Sequence, residues 1–90
     1  MKARVHVFVS GRVQGVFFRY ETKREAKKHS VIGWVRNMPD GRLEATFEGE
    51  ESDVKALVDF CRKGPPAAKV TNVDTRWEAY TDEFTDFETR

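Results

Sequence analysis

Val31-Ile32-Gly33-Trp34-Val35-Arg36-Asn37-Met38-Pro39-Asp40-Gly41-Arg42-Leu43-Glu44-Ala45-Thr46-Phe47-Glu48 is the stretch on which the fold turns. Its centre, Met38-Pro39-Asp40-Gly41, is a turn with a physical cause: proline presets φ, and Asp and Gly tolerate the tight positions that follow. After the turn Leu43, Ala45 and Phe47 alternate with Glu44, Thr46 and Glu48, the period of a half-buried strand. Before it, Val31 to Asn37 has strand character and carries Trp34. So short a turn joins the two as an antiparallel hairpin.

The flanks complete the pattern. On the N-terminal side Arg4 to Ser10 reads as a strand, with Val5, Val7 and Val9 on one side. A glycine-punctuated stretch, Gly11 to Gly15, leads into Phe18 to Ser30, which is rich in helix formers and carries a thin stripe of Phe18, Thr22 and Ala26. The charges of this helix, including the run from Lys23 to Lys28, read as a solvated face. On the C-terminal side Glu50 to Lys63 is predicted as a helix, because Val54, Leu57, Val58 and Cys61 fall on one stripe. Ser52 is its expected cap and Gly64-Pro65-Pro66 its stop. Val70 to Tyr80 reads as a strand with Val73, Thr75, Trp77 and Ala79 on one side, and Phe84 to Thr89 allows a short fifth strand at an edge. The order βαββαβ predicts an α+β, ferredoxin-like sandwich: an antiparallel sheet with two helices on one face. That fold hosts enzymes, RNA binders and ligand binders alike, so function must come from the site.

Composition narrows the classes. Ninety residues make one domain, 1–90. With 39% hydrophobic and 34% charged residues, and no apolar run near the ~20 residues of a spanning helix, no membrane association is expected. The opening Met1-Lys2-Ala3-Arg4-Val5-His6 lacks the apolar run of a signal peptide. Sixteen basic against fifteen acidic residues give +1, which argues against a nucleic-acid binder. A single cysteine, Cys61, excludes an internal disulfide and a cysteine zinc cluster; on an apolar helix stripe it reads as a buried inert thiol. His6 and His29 have no ligand spacing, and Trp34 and Trp77 read as core or sheet-face packing. Arg12, Arg36 and Arg42 read as solvent-facing charges. A soluble cytoplasmic monomer without metal or cofactor is expected.

The segment that can carry chemistry is Gly11-Arg12-Val13-Gln14-Gly15-Val16-Phe17-Phe18-Arg19. Its glycines let a ligand approach the main-chain N–H groups, and it opens into a helix N-terminus, where free N–H groups favour an anion. Arg19 in the first helical turn opposes the helix dipole, a conflict that a bound anion would remove. Its guanidinium offers the fork that suits phosphate. No Gly-Lys-Ser/Thr follows, so this is not a Walker loop, and the glycine spacing fails for a dinucleotide loop. Taken alone, the loop reads first as a tight turn with a surface arginine paired to Glu21 or a neighbour, and second as an anion site. Asn37, beside the hairpin turn, reads either as a backbone cap or as a holder of water; an amide cannot titrate and so cannot be a base.

At these two segments the chain resembles the acylphosphatase family. Val9-Ser10-Gly11-Arg12-Val13-Gln14-Gly15-Val16-Phe17-Phe18-Arg19 resembles the family's first signature, and Gly33 to Leu43, closing at Gly49, resembles the second. Leu43 stands where valine is usual, and Thr89 where an aliphatic residue is common. The resemblance implies that Arg19 binds phosphate, that Asn37 positions the attacking water, and that the loop Gln14, Gly15, Val16, Phe17 and Phe18 is the main-chain phosphate cradle. It implies hydrolysis of the carboxyl-phosphate bond of small acylphosphates. The leaving carboxylate departs without a proton, since its acid has a pKa near ~4, so no general acid is needed. Two other readings are weighed: a non-catalytic acylphosphatase-like module that holds an anion or a partner, and an RNA-binding domain of the same fold.

Overall fold

A computed structural model describes residues 1–90. Its elements are β1 (Lys2–Arg12), α1 (Phe18–Lys28), β2 (Ile32–Asn37), β3 (Leu43–Glu50), α2 (Glu51–Lys63), β4 (Lys69–Glu78) and β5 (Phe87–Thr89). The sheet order is β4-β1-β3-β2-β5. Strand β1 pairs antiparallel with both β3 and β4, and β2 antiparallel with β3. Both helices pack on one face. Val5, Val7, Val9, Val35, Leu43, Ala45 and Phe47 from the sheet close a core with Phe18 and Ala26 of α1 and Val54, Leu57, Val58 and Cys61 of α2.

The fifth strand departs from an all-antiparallel sheet. It pairs parallel with β2, Gly33 opposite Phe87 and Val35 opposite Thr89. The cause lies in the connection. β4 ends at Glu78, opposite Arg4, which is opposite Glu48, which is opposite Ile32, the start of β2. The chain then crosses at that end of the sheet, with Thr81 on Glu48 and Phe84 under Arg4. It therefore reaches the far edge where β2 begins and can only run alongside it.

Strand β3 is not half-buried as its alternation predicts: every residue from Leu43 to Gly49 is buried. It lies at the centre of the sheet, and long side chains cover its polar row. The Glu44 carboxylate receives His6 Nε2 at 2.6 Å and Arg36 Nε at 2.5 Å. That of Glu48 accepts from Arg4 Nη1 at 3.2 Å, Thr81 N at 2.9 Å and Thr81 Oγ1 at 2.8 Å. Burial pushes the Glu44 carboxyl up, but Arg36 and His6 outweigh it and hold it below its ordinary value.

Three local expectations also change. Ser52 does not cap α2; Glu50 holds the N-cap position, and the Glu51 N–H donates to the Met1 carbonyl at 2.8 Å. Helix α1 stops at Lys28, not Ser30, because Ser30 turns left-handed (φ 56°) and Val31 N–H bonds back to the Ala26 carbonyl at 2.8 Å, a Schellman closure. Trp77 is 50% exposed: it lies on the edge strand β4, opposite the buried Val5 but near the strand's end. Trp34 lies on the open face, with the Arg90 guanidinium 5.0 Å from its ring centre.

Candidate active site

The site begins where β1 bulges. The β1–β4 register shifts between Ser10 and Gly11, and a Cβ on Gly11 would lie 2.2 Å from the Lys69 carbonyl oxygen, so only glycine fits this bulge, beyond which β1 stays paired as far as Arg12. The loop that follows is rooted by Val13 and Val16, which are buried in the core. Gly15 (φ 73°) and Phe17 (φ 64°) are both left-handed. Left-handed residues two apart are the turn conformations in which successive N–H groups can form an anion-binding concavity. For phenylalanine the conformation costs on the order of 1–3 kcal/mol, a strain that collects at functional sites.

The N–H groups from Gln14 to Tyr20 find no acceptor in the protein; the first loop or helix donor that does is Glu21, to the Phe17 carbonyl at 3.0 Å. Arg19 projects from the second position of α1. It does not pair with Glu21, as a surface arginine there would; Arg24 does so instead, at 3.4 Å. Arg19 Nη1 donates only to the main-chain oxygen of Arg90, at 3.2 Å.

Asn37 closes β2 and is half-buried. The turn beside it needs no help from it. Met38 N–H bonds the Arg42 carbonyl at 2.8 Å, Gly41 N–H bonds the Met38 carbonyl at 3.1 Å, and Asp40 Oδ1 accepts from the Arg42 N–H at 3.0 Å. The hydrogen bonds from Arg42, main-chain and side-chain, hold the Asp40 carboxyl below its ordinary value. Asp40 thus does the capping, and the Asn37 amide stays unengaged.

Arg19, Asn37, Gly15, Phe17 and Phe18 line one cleft of about 700 Å³, together with Val13 and Thr89. Of the loop residues read from the sequence, Gln14 and Val16 do not turn their side chains into it. Val16 is in the core. Gln14 Nε2 donates to the Met38 carbonyl at 2.7 Å and the Arg42 carbonyl at 3.0 Å, tying the loop to the turn that carries Asn37. Phe18 is buried against Phe60, ring centres 5.9 Å apart, and anchors the start of α1. The cleft also takes in Tyr20, Lys23, Arg24 and Lys27, so part of the helix face read as solvated is a wall of the site. The signal was present in the spacing: residues 19, 23 and 27 share one helical face.

No carboxyl, imidazole or thiol lines the cleft. His6 is committed to Glu44, and His29 Nδ1 to Asp53 at 3.0 Å. Burial pushes the Cys61 thiol up to about 12. No three His, Cys, Asp or Glu side chains gather as a metal-ligand set. The arrangement can gather a compact anion on main-chain N–H groups and a guanidinium, beside a neutral amide that both donates and accepts. None of the groups that titrate near neutrality, a carboxyl, an imidazole or a thiol, is among its side chains.

The βαββαβ order and the two helices on one sheet face are those of small ferredoxin-like α+β domains. The chain belongs to the acylphosphatase family, whose model matches residues 5–89. It is 55% identical over 87 residues to an acylphosphatase of Syntrophus aciditrophicus, covering 97% of this chain and 91% of that one. In structure it is similar to an acylphosphatase from Coxiella burnetii (TM-score 0.93, 37% identity, 99% of this chain and 93% of that one). It is equally similar to an acylphosphatase from Bacillus subtilis (TM-score 0.93, 36% identity, 100% and 99%). The ferredoxin-like expectation holds, with the parallel β5 added.

Proposed function

We propose that this protein hydrolyses the carboxyl-phosphate bond of acylphosphates, releasing a carboxylate and inorganic phosphate. The observation that carries the reading is a loop whose N–H groups have no protein acceptor and which lines one cleft with Arg19 and the free Asn37 amide, with no carboxyl, imidazole or thiol among the lining side chains. The transferred phosphoryl group rests on the N–H groups of residues 14–18 and on Arg19, which stabilise charge on its non-bridging oxygens. Asn37 orients water in line with the departing carboxylate. That leaving group needs no protonation. Because Asn37 cannot accept the proton of the water, the proton passes to an oxygen of the substrate phosphate. Phosphate monoesters, whose alkoxides leave poorly without an acid, are poor substrates.

The lining gathers every group the reaction needs from this chain, which is the expectation for a monomer acting on a diffusible small molecule. No helix is long and apolar enough to cross a membrane. A single buried thiol fits a reducing cytoplasmic setting.

The test is hydrolysis of benzoyl phosphate in excess EDTA by the wild type, Arg19→Ala and Asn37→Ala. Turnover by the wild type and its collapse in both variants is expected. A folded wild type without turnover, or brisk turnover of a phosphate monoester, refutes the reading.

A further inference from the structure

We infer that the preferred substrates carry a second anionic group on their acyl part, bound by Lys23 and Lys27 of α1. The inference rests on acylphosphate hydrolysis and narrows its substrate class. The cleft does not stop at the phosphate loop: it continues along α1 past Arg19. A volume of about 700 Å³ lies within the ~300–1,000 Å³ of pockets that take a whole small molecule, so the acyl portion shares it with the phosphate.

The charges of that extension are one-sided. Arg24 is engaged with Glu21, and Lys28, off the cleft, is paired with Glu25 at 3.1 Å. Lys23 and Lys27 line the cleft and make no ion pair or side-chain hydrogen bond. No carboxylate lines the cleft to balance them. A lysine in the last turn, such as Lys27, has a ready explanation in the helix dipole. Lys23 does not: it sits mid-helix and half-buried, where the dipole has no uncompensated end. Steps of four residues advance about 6 Å along a helix, so a second anion roughly 6–12 Å from the reacting phosphate meets these two ammonium groups. The exposed ring of Tyr20, in the same wall, offers an apolar surface to the carbon skeleton between the two anions.

The experiment compares kcat/KM for 4-carboxybenzoyl phosphate and benzoyl phosphate, which share the scissile bond and differ in one distal carboxylate. The wild type is expected to favour the carboxylated substrate about threefold to tenfold at low ionic strength, the range of two partly exposed charge pairs. The ratio should fall toward one at about 1 M salt, where the Debye length is ~3 Å. Lys23→Gln with Lys27→Gln should abolish the preference, while Lys28→Gln, an equal loss of charge outside the cleft, should leave it. A wild-type ratio of one or less, or an equal drop with Lys28→Gln, overturns the inference and leaves acylphosphate hydrolysis standing. No turnover of either substrate by the folded protein overturns both.

Discussion

Replacing Gln14 by alanine tests whether the proposed phosphate loop and Asn37 must be held in register. The Gln14 amide bridges the loop to the Met38 and Arg42 carbonyls at 2.7 and 3.0 Å, and Met38 directly follows Asn37. Each bond contributes about 0.5–1.5 kcal/mol. The loss sits at the lower end here, because both carbonyls keep a main-chain partner, Gly41 N–H and Met38 N–H. A destabilisation of about 1–2 kcal/mol should lower Tm by roughly 5–15 °C in a domain of this size. Activity should suffer more. Displacing a reacting group by about 1 Å can cost a factor near 10², so kcat should fall about 10- to 100-fold. Binding should not follow, because the N–H groups and Arg19 stay rooted through Val13, Val16 and Phe18. The assay pairs benzoyl phosphate turnover with inhibition by inorganic phosphate, well below the midpoint of thermal unfolding. A large loss in kcat with a phosphate inhibition constant changed less than about threefold is expected. If kcat holds while Tm drops, the bridge is only structural. If kcat and phosphate affinity fall together, the cradle itself depends on Gln14 and the division of roles is wrong.

Acid should loosen the open face of the sheet. The folded Glu44 carboxyl lies below its ordinary value, so its ion pairs contribute stability above the usual carboxylate range and lose it as pH falls through the folded value. Glu44→Gln should therefore flatten the fall in Tm below about pH 4; an unchanged profile counts against the pairing. Cys61 should resist thiol reagents in the native protein at pH 8 and react once denaturant is added, because burial both excludes the reagent and holds the thiol protonated. Rapid native labelling would show that α2 opens locally.

The hairpin, both helices and the order of elements could be read from the chain because each rests on local physics: alternation from Leu43 to Phe47, the stripe from Val54 to Cys61, the Pro39-Asp40-Gly41 turn. Features set by distant partners could not. Ser52 carries the chemistry of a cap, but the Met1 carbonyl, just before β1 where Lys2 pairs with Glu50, reaches the helix end instead. The polar row of β3 alternates as though wet, and only the neighbouring strands' arginines and histidine reveal it as covered. The parallel sense of β5 depends on which end of the sheet the chain crosses. At the site Arg19 and Asn37 were legible as a pair through family resemblance, whereas their freedom from Glu21 and from the turn is a matter of geometry. Lys23 and Lys27 looked like solvent charges, since a cleft wall and an open surface use the same residues. The left-handed Phe17 runs against residue preference, so nothing local could announce it.

The parallel strand β5 has a consequence for the integrity of the molecule in a crowded solution. Without it β2 would be an edge, its ladder groups free to recruit a strand from another molecule. Three residues guard that edge. They are held by Gly33 N–H on the Asp86 carbonyl at 3.1 Å, Arg90 N–H on the Val35 carbonyl at 2.8 Å, and the Phe87 ring stacked 5.8 Å from that of Phe47. So short a segment detaches at a fraction of the free energy of global unfolding. When it does, Thr89 leaves the cleft wall and the Arg90 oxygen leaves Arg19 in the same event that bares β2. Protection of the β2 edge and completeness of the candidate cleft thus hang on a single peeling motion.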